Sequence, residues 1–254
     1  MDSKDSFIGI FDSGVGGLTV LSEARQQMPD HTFLYFADRA HAPYGEGTRA
    51  ETLELTLDCV NFMEPLGLSG LVLACNTATS AAVKELRNRY DFPIIGMEPA
   101  VKPAVERGEG KVLVLATPLT LREEKFKKLV QQVDKDGKVD GIGMPELVRL
   151  AERAVFEGEE VLAYLKQQLG SVVWDNYSAV VLGCTHFVYF REALRAIVPM
   201  HVAIIDGNAG TVRRLMDQVE MVTVKTKKDQ FYDSKQPVSA TYFGKWLDYL
   251  NEHD

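Results

Sequence analysis

Two short stretches of this chain hold the residue types that could do chemistry. One is Gly70-Leu71-Val72-Leu73-Ala74-Cys75-Asn76-Thr77-Ala78-Thr79, and the other is Ala179-Val180-Val181-Leu182-Gly183-Cys184-Thr185-His186. In each, an apolar run as long as a buried parallel strand stops at a cysteine. Two polar residues follow, and then a helical pattern begins. The carboxyl ends of strands are where α/β sheets hold ligands. A helix N-terminus also lowers a thiol's pKa and attracts anions. One free cysteine in such a place is more often a small buried hydrophobe than a reagent. Two in matching settings, followed by Asn76-Thr77 and by Thr185-His186, point to a shared site.

Other chemistries fit the chain less well. Gly14-Val15-Gly16-Gly17 follows a strand-like run, but the last glycine of a dinucleotide fingerprint would fall on Thr19. No G-x-x-x-x-G-K and no C-x-x-C occurs, which disfavours nucleotide phosphates, dithiol redox chemistry and zinc knuckles. A cysteine phosphatase would need arginine where this chain has Ala81 and Phe190. A Cys-His hydrolase through Cys184 with His186 or His41 stays open, though it leaves Cys75 without a role. Two thiols on opposite faces of one carbon suit a different task. Inverting a centre that bears an acidic hydrogen needs a base on one face and an acid on the other, exchanging roles in reverse. A thiol titrating near about 8.5 can serve either way. Asp12 and the helix dipole would assist Cys75, and His186 would assist Cys184. Ser13, Asn76, Thr77, Thr117 and Thr185 could hold an amino acid's ammonium and carboxylate.

The elements that must position these residues alternate. Strands are predicted over 7–11, 31–37, a run ending at Cys75, 93–97, 111–116, 139–143, 179–183 and 201–205. Helices are predicted from the glycine turn to about 28, over 48–65, from Cys75 to about 90, and over 119–133, 145–156 and 158–169. Two more run from Cys184 to 197 and from the cap Asp206-Gly207-Asn208 to about 219. Strand–helix alternation makes the class α/β with parallel sheets. A repeat is visible. Asp12-Ser13 ends a strand 63 residues before Cys75, and Thr117 ends one 67 residues before Cys184. Two similar flavodoxin-like domains facing a central cleft are expected, one of residues 1–97 plus 207–254 carrying Cys75, the other of 98–206 carrying Cys184. The tail after 220 is weakly patterned, with a helix from Tyr242.

The 254 residues are 46% hydrophobic and 25% charged, ordinary for a globular protein. A net charge of -8 without a basic cluster argues against nucleic acid or an anionic membrane as partner. No apolar run nears the roughly 18 residues that span a bilayer. The opening Met1-Asp2-Ser3-Lys4-Asp5-Ser6 is no signal peptide. Three scattered cysteines do not make a disulfide framework. A reduced, cytoplasmic setting is expected.

Phe11-Asp12-Ser13-Gly14-Val15-Gly16-Gly17-Leu18, Pro43-Tyr44-Gly45, Ala74-Cys75-Asn76-Thr77-Ala78 and Gly183-Cys184-Thr185-His186 occur in an order and spacing that resemble the glutamate racemases of the cofactor-independent aspartate/glutamate racemase superfamily. The resemblance covers about 7–219. It implies two-base racemisation of L- and D-glutamate without metal, pyridoxal phosphate or nucleotide, supplying D-glutamate for peptidoglycan. It implies that Cys75 takes the α-proton of D-glutamate with help from Asp12. Cys184 would take that of L-glutamate with help from Glu152 and His186. Substrate would be held by Asp12, Ser13, Pro43, Tyr44, Gly45, Asn76, Thr77, Thr117, Thr120, Thr185 and His186. A homodimer is implied, and regulation by a cell-wall precursor is not expected. Aspartate or another amino acid is the alternative substrate. The chain departs from the usual pattern at Ala37, Glu123, Phe126, Met144 and Ala151. Of the remaining residues, Cys59 reads as core, His31, His201 and His253 as surface or strand-end residues, and His41 as structural. Asp38 and Asp206 read as turn or cap acids, and the run Arg122-Glu123-Glu124-Lys125 as a solvated helix face.

Overall fold

The computed structural model describes residues 6–220 and 228–253; the opening Met1 to Asp5 and the start of the tail, 221–227, lie outside them. The chain begins with β1 (Phe7–Asp12), α1 (Gly17–Gln27), β2 (Phe33–Ala37), α2 (Arg49–Met63), β3 (Leu68–Leu73), α3 (Asn76–Arg89) and β4 (Ile94–Gly96). It continues through α4 (Val101–Glu106), β5 (Lys111–Ala116), α5 (Pro118–Arg122), α6 (Glu124–Val133), β6 (Val139–Gly143), α7 (Pro145–Glu152) and α8 (Glu159–Leu169). Then come β7 (Tyr177–Leu182), α9 (Arg191–Arg195), β8 (Ala203–Ile205), α10 (Asn208–Met216), β9 (Gln230–Asp233), β10 (Gln236–Val238) and α11 (Gly244–His253).

The strands lack polar alternation because helices cover both faces; every residue of β1 is buried. One sheet runs β10-β9-β2-β1-β3-β4 and the other β6-β5-β7-β8. All neighbours are parallel except β9 and β10. Stripped of β9 and β10, the two orders are the same: second, first, third, fourth. Even the register slip recurs, at Phe7/Ile8 between β1 and β3 and at Lys111/Val112 between β5 and β7. The crossovers reverse direction between β1 and β3 and between β5 and β7, and ligands bind beyond the carboxyl ends of strands at such points. Asp12 and Cys75 stand there in the first sheet, and Thr117 and Cys184 in the second. The α/β class and the repeat expected from the sequence are what the chain forms.

The largest apolar core joins both sheets. It includes Leu18 and Leu21 of α1, Leu147 and Leu150 of α7, Phe187, Val212 of α10 and Trp246 of α11. The glycine turn after β1 and the segment after β7 are thereby packed together.

Several elements differ from expectation. The helix over 119–133 is two helices, because Glu123 is extended (φ −65°, ψ 137°). Glu123 is not on a solvated face: its side chain is 11% exposed and 3.5 Å from Arg49 Nε. The segment after Cys184 is a 3-10 helix, Thr185–Phe190, before the short α9. Its buried residues are Thr185, His186, Phe187, Tyr189 and Phe190. The tail supplies β9, which extends the sheet beside β2, and β10. α4 was not foreseen. His31, read as a surface or strand-end residue, is buried just before β2, its Nε2 3.2 Å from the Glu220 carbonyl. Cys59 lies in the core as expected.

The helix over 145–156 ends instead at Glu152, in a turn that satisfies its last carbonyls. Val155 N–H reaches Leu150 O at 3.0 Å and Ala154 N–H reaches Ala151 O at 2.9 Å, the pattern of a Schellman cap. Ala154 there has φ +55°, a conformation that costs an L-residue about 1 kcal/mol or more. Ala154→Gly is therefore expected to stabilise the chain by about 0.5–1 kcal/mol after glycine's extra unfolded-state entropy is discounted. Urea unfolding checks this, and a lower midpoint would mean that the turn carries no strain.

Candidate active site

Cys75 caps α3. Its Sγ accepts the Ala78 N–H at 3.4 Å and lies 3.4 Å from Ser13 Oγ. The helix N-terminus does not win here. Burial foremost, and then the charge of Asp12, push the Cys75 thiol up to about 12, against the opposing bonds from Ser13 and Ala78. The charge of Cys184 adds to that rise, so the two sulfurs are within electrostatic reach. Cys184 is 8% exposed and has no N-cap bond, since a 3-10 helix follows it. Its partner is His186, whose Nδ1 lies 3.8 Å from Sγ.

Behind Cys184 runs a line of charge. His186 Nε2 is 2.8 Å from Glu152 Oε1, which also accepts the Val15 N–H at 2.8 Å. Arg39 Nε donates to Glu152 Oε2 at 2.9 Å. Burial pulls His186 toward neutrality, but its bonds to Cys184 and Glu152 and the charges of Cys184 and Asp12 outweigh that and hold it cationic. Burial likewise lifts Glu152, and the His186 bond and charge and the Arg39 bond bring it below the usual carboxylate range.

Asp12 joins the halves. Oδ1 accepts the Gly14 N–H at 2.8 Å and Oδ2 accepts the Thr185 hydroxyl at 2.9 Å. Complete burial raises its pKa to about 6, despite His186, Gly14 and Thr185, which favour the anion. That pKa lies above the ordinary 3.8, so the fold favours the neutral acid. The resulting stability is full below about pH 4 and is lost as pH rises through about 6. Relative to Asp12→Asn, the wild type is therefore expected to lose on the order of 2–3 kcal/mol between these limits. Urea unfolding of both across that range is the check, and a pH-independent difference would refute it.

The other expected residues gather around the same point, with two qualifications. Thr77, Thr117 and Thr120 form a hydroxyl triangle across the halves, with oxygens 2.9 to 3.2 Å apart. Asn76 is 4% exposed, and among the described residues neither its Nδ2 nor its Oδ1 has a hydrogen-bond partner, which leaves both for a ligand. Gly45 packs so closely on Thr117 that a Cβ would overlap it. Tyr44, however, already donates its hydroxyl to Asp38 at 2.6 Å. Pro43 lines a cavity of about 270 Å³ with Val148 and Glu152.

Asp38, buried and also 3.0 Å from His41 Nδ1, is the turn acid the sequence suggested, and His41 is structural. Asp206 caps α10 through the Asn208 N–H at 2.8 Å. Three residues were missed. Tyr35 donates to Gly14 O at 2.6 Å, Tyr189 donates to Val15 O at 2.9 Å, and Arg39 holds Glu152. Tyr189 could have been found three residues after His186, on the same line of a 3-10 helix. Among the described residues no group of three or more His, Cys, Asp and Glu could hold a metal, and no helix is long and apolar enough to cross a membrane.

The arrangement can move protons at two sulfurs beside a polar pocket. Comparison with known proteins points the same way. The Asp/Glu/hydantoin racemase family model matches residues 19–215. The chain is 49% identical over 251 residues to a glutamate racemase of Halothermothrix orenii, covering 96% of this chain and 99% of that protein. It is similar to the crystal structure of Escherichia coli glutamate racemase in complex with L-glutamate and an activator, UDP-MurNAc-Ala. That match has a TM-score of 0.82 at 30% identity, over 97% of this chain and 95% of that one. A glutamate racemase isoform of Bacillus anthracis gives 0.86 at 28% identity, over the same shares.

Proposed function

The chain belongs to the Asp/Glu/hydantoin racemase family, and from that premise we propose that it is an isomerase of the glutamate racemase branch that interconverts L- and D-glutamate by two-base proton transfer. The observation that carries this is the pairing of Cys75 and Cys184 at equivalent strand ends of two equivalent sheets, with Asp12 and Thr185 bonded between the halves. Each thiol has its own polar support. Cys75 as thiolate removes the α-proton of D-glutamate, and Cys184 delivers a proton to the other face. From L-glutamate the roles reverse.

A thiol held at about 12 is not by itself a ready base. The substrate ammonium supplies the missing cation, since an opposite charge within a few ångströms favours the anionic form. In this scheme Asp12, held near 6, accepts the proton that Cys75 gives up. On the other side the His186 imidazolium balances the charge left when Cys184 loses its proton. Asn76 and the threonine triangle bind the substrate's carboxylates, Ser13 and Thr185 flank its α-carbon, and Gly45 seals the triangle. The scheme needs only the chain's own side chains. As parts of the same reading, residues 1–97 with 207–254 and residues 98–206 are the two lobes, and the working unit is a cytoplasmic homodimer whose D-glutamate serves peptidoglycan synthesis.

The test is purified protein with L-glutamate in heavy water and no added cofactor, followed by circular dichroism and the α-proton NMR signal. Loss of both is expected. Loss of the α-proton with optical activity kept would mean one working base. No change in either, with aspartate turned over instead, would move the substrate and keep the chemistry.

A further inference from the structure

Arg39 stands at the outer end of the line that runs from Cys184 through His186 to Glu152. Besides the Nε bond to Oε2, its Nη2 donates to the Glu152 carbonyl at 3.4 Å. Its other side is gripped by the C-terminal segment. Nη1 donates to the Tyr242 hydroxyl at 3.1 Å and lies 3.5 Å from Asp233 Oδ2. The guanidinium sits 5.1 Å above the Trp246 ring and 5.9 Å from that of Tyr242. Trp246 Nε1 in turn donates to Ala151 O at 2.7 Å, one residue before Glu152. The segment that looked least informative in the sequence therefore holds both Arg39 and the backbone beside Glu152.

We propose that Arg39 is a positioning residue: clamped by Asp233, Tyr242 and Trp246, it occupies one oxygen of Glu152 so that the other stays on His186, keeping the imidazole aimed at the Cys184 sulfur. This rests on the two-base reading. Glu152 Oε1 already serves Val15 and His186. A carboxylate with a free second oxygen could turn, and the ring it orients would turn with it. Arginine suits the place because its fork spans the carboxylate and carbonyl of one residue while its flat face stacks on indole. The groups that face Glu152 are His186 from the segment after β7 and Arg39 from the loop after β2, with Asp12, Tyr35 and Tyr189 at longer range. Arg149 and Arg153 line the cavity beside it.

The experiment compares wild type, Arg39→Lys and Arg39→Ala for kcat and KM on both enantiomers across pH, with thermal melting to confirm folding. Arg39→Ala is expected to lower kcat by about tenfold to a hundredfold, the value of a hydrogen bond to a charged group, with KM nearly unchanged. Its acidic limb should move to higher pH, because Glu152 loses a cation that helps keep it ionised. Arg39→Lys should retain most of the activity. Guanidinium ion at sub-denaturing concentration should restore part of the Arg39→Ala rate by entering the cavity of about 270 Å³ that Arg39 lines with Pro43, Val148 and Glu152. Wild-type kcat in Arg39→Ala would overturn the proposal. So would a loss shared equally by Arg39→Lys, insensitive to guanidinium and with an unmoved pH profile. Failure of the wild-type chain to racemise glutamate in the same assay would instead sink the parent reading.

Discussion

Cys184→Ala is expected to lose racemisation by about a thousandfold or more, within the range general acid–base groups supply, while the protein still folds. Its thiol has one polar partner at contact distance among the described residues, His186 Nδ1 at 3.8 Å, and removing a sulfur leaves a gap that costs about 1 kcal/mol. The chemistry on the opposite face should survive in part. With Cys75 intact, D-glutamate should exchange its α-hydrogen for solvent deuterium without turning into L-glutamate. Cys75→Ala should show the mirror result, exchange of L-glutamate alone. Proton NMR in heavy water with chiral chromatography separates exchange from inversion. Full turnover in either variant would end the two-base reading, as would a single variant in which both enantiomers still exchange.

Gly14→Ala is expected to reduce turnover on the order of a hundredfold, the effect of moving a catalytic group by about an ångström. A Cβ there would overlap the Glu152 carboxylate and come 2.9 Å from His186 Nε2. The backbone cannot retreat easily, because Gly14 N–H is bonded to Asp12 and Gly14 O accepts from Tyr35. Overpacking of this kind also costs about 1–3 kcal/mol. Gly210 in α10 is the comparison: among the described residues a Cβ there meets nothing within 4 Å. Gly210→Ala should therefore stabilise by about 0.5–1 kcal/mol with unchanged turnover. Equal activity in the two variants would show that the glycine turn after β1 tolerates bulk and that Glu152 is not held where the geometry places it.

What could be read in advance follows from how local each signal is. Cys75, Cys184, Asp12 and Thr117 were legible because buried parallel strands are short apolar runs, and each of these residues is where such a run stops. Asn76 and Thr185 follow by adjacency. Helix ends were less legible. The break at Glu123 depends on a tertiary pairing with Arg49, and the early end of α7 on an alanine in a left-handed turn. The helix expected after Cys184 is a 3-10 segment, Thr185–Phe190, and apolar periodicity alone does not separate the two helix types over six residues. Arg39 was invisible because its meaning lies in partners far along the chain: Glu152, Asp233, Tyr242 and Trp246. β9 and β10 are too short to stand out, and only docking beside β2 makes β9 a strand.

The two thiols are served unequally: Cys75 by a hydroxyl and a helix N–H, Cys184 by an imidazolium backed by a carboxylate. The two enantiomers nevertheless have the same free energy in water, so the equilibrium constant of the reaction is one, and kcat/KM must be identical in the two directions. The inequality of the supports can never appear in that ratio. It can appear only as kcat and KM differing by one common factor, with the slower direction also saturating at the lower concentration. Any substitution on one side alone, however local, must lower the efficiency of both directions to the same extent.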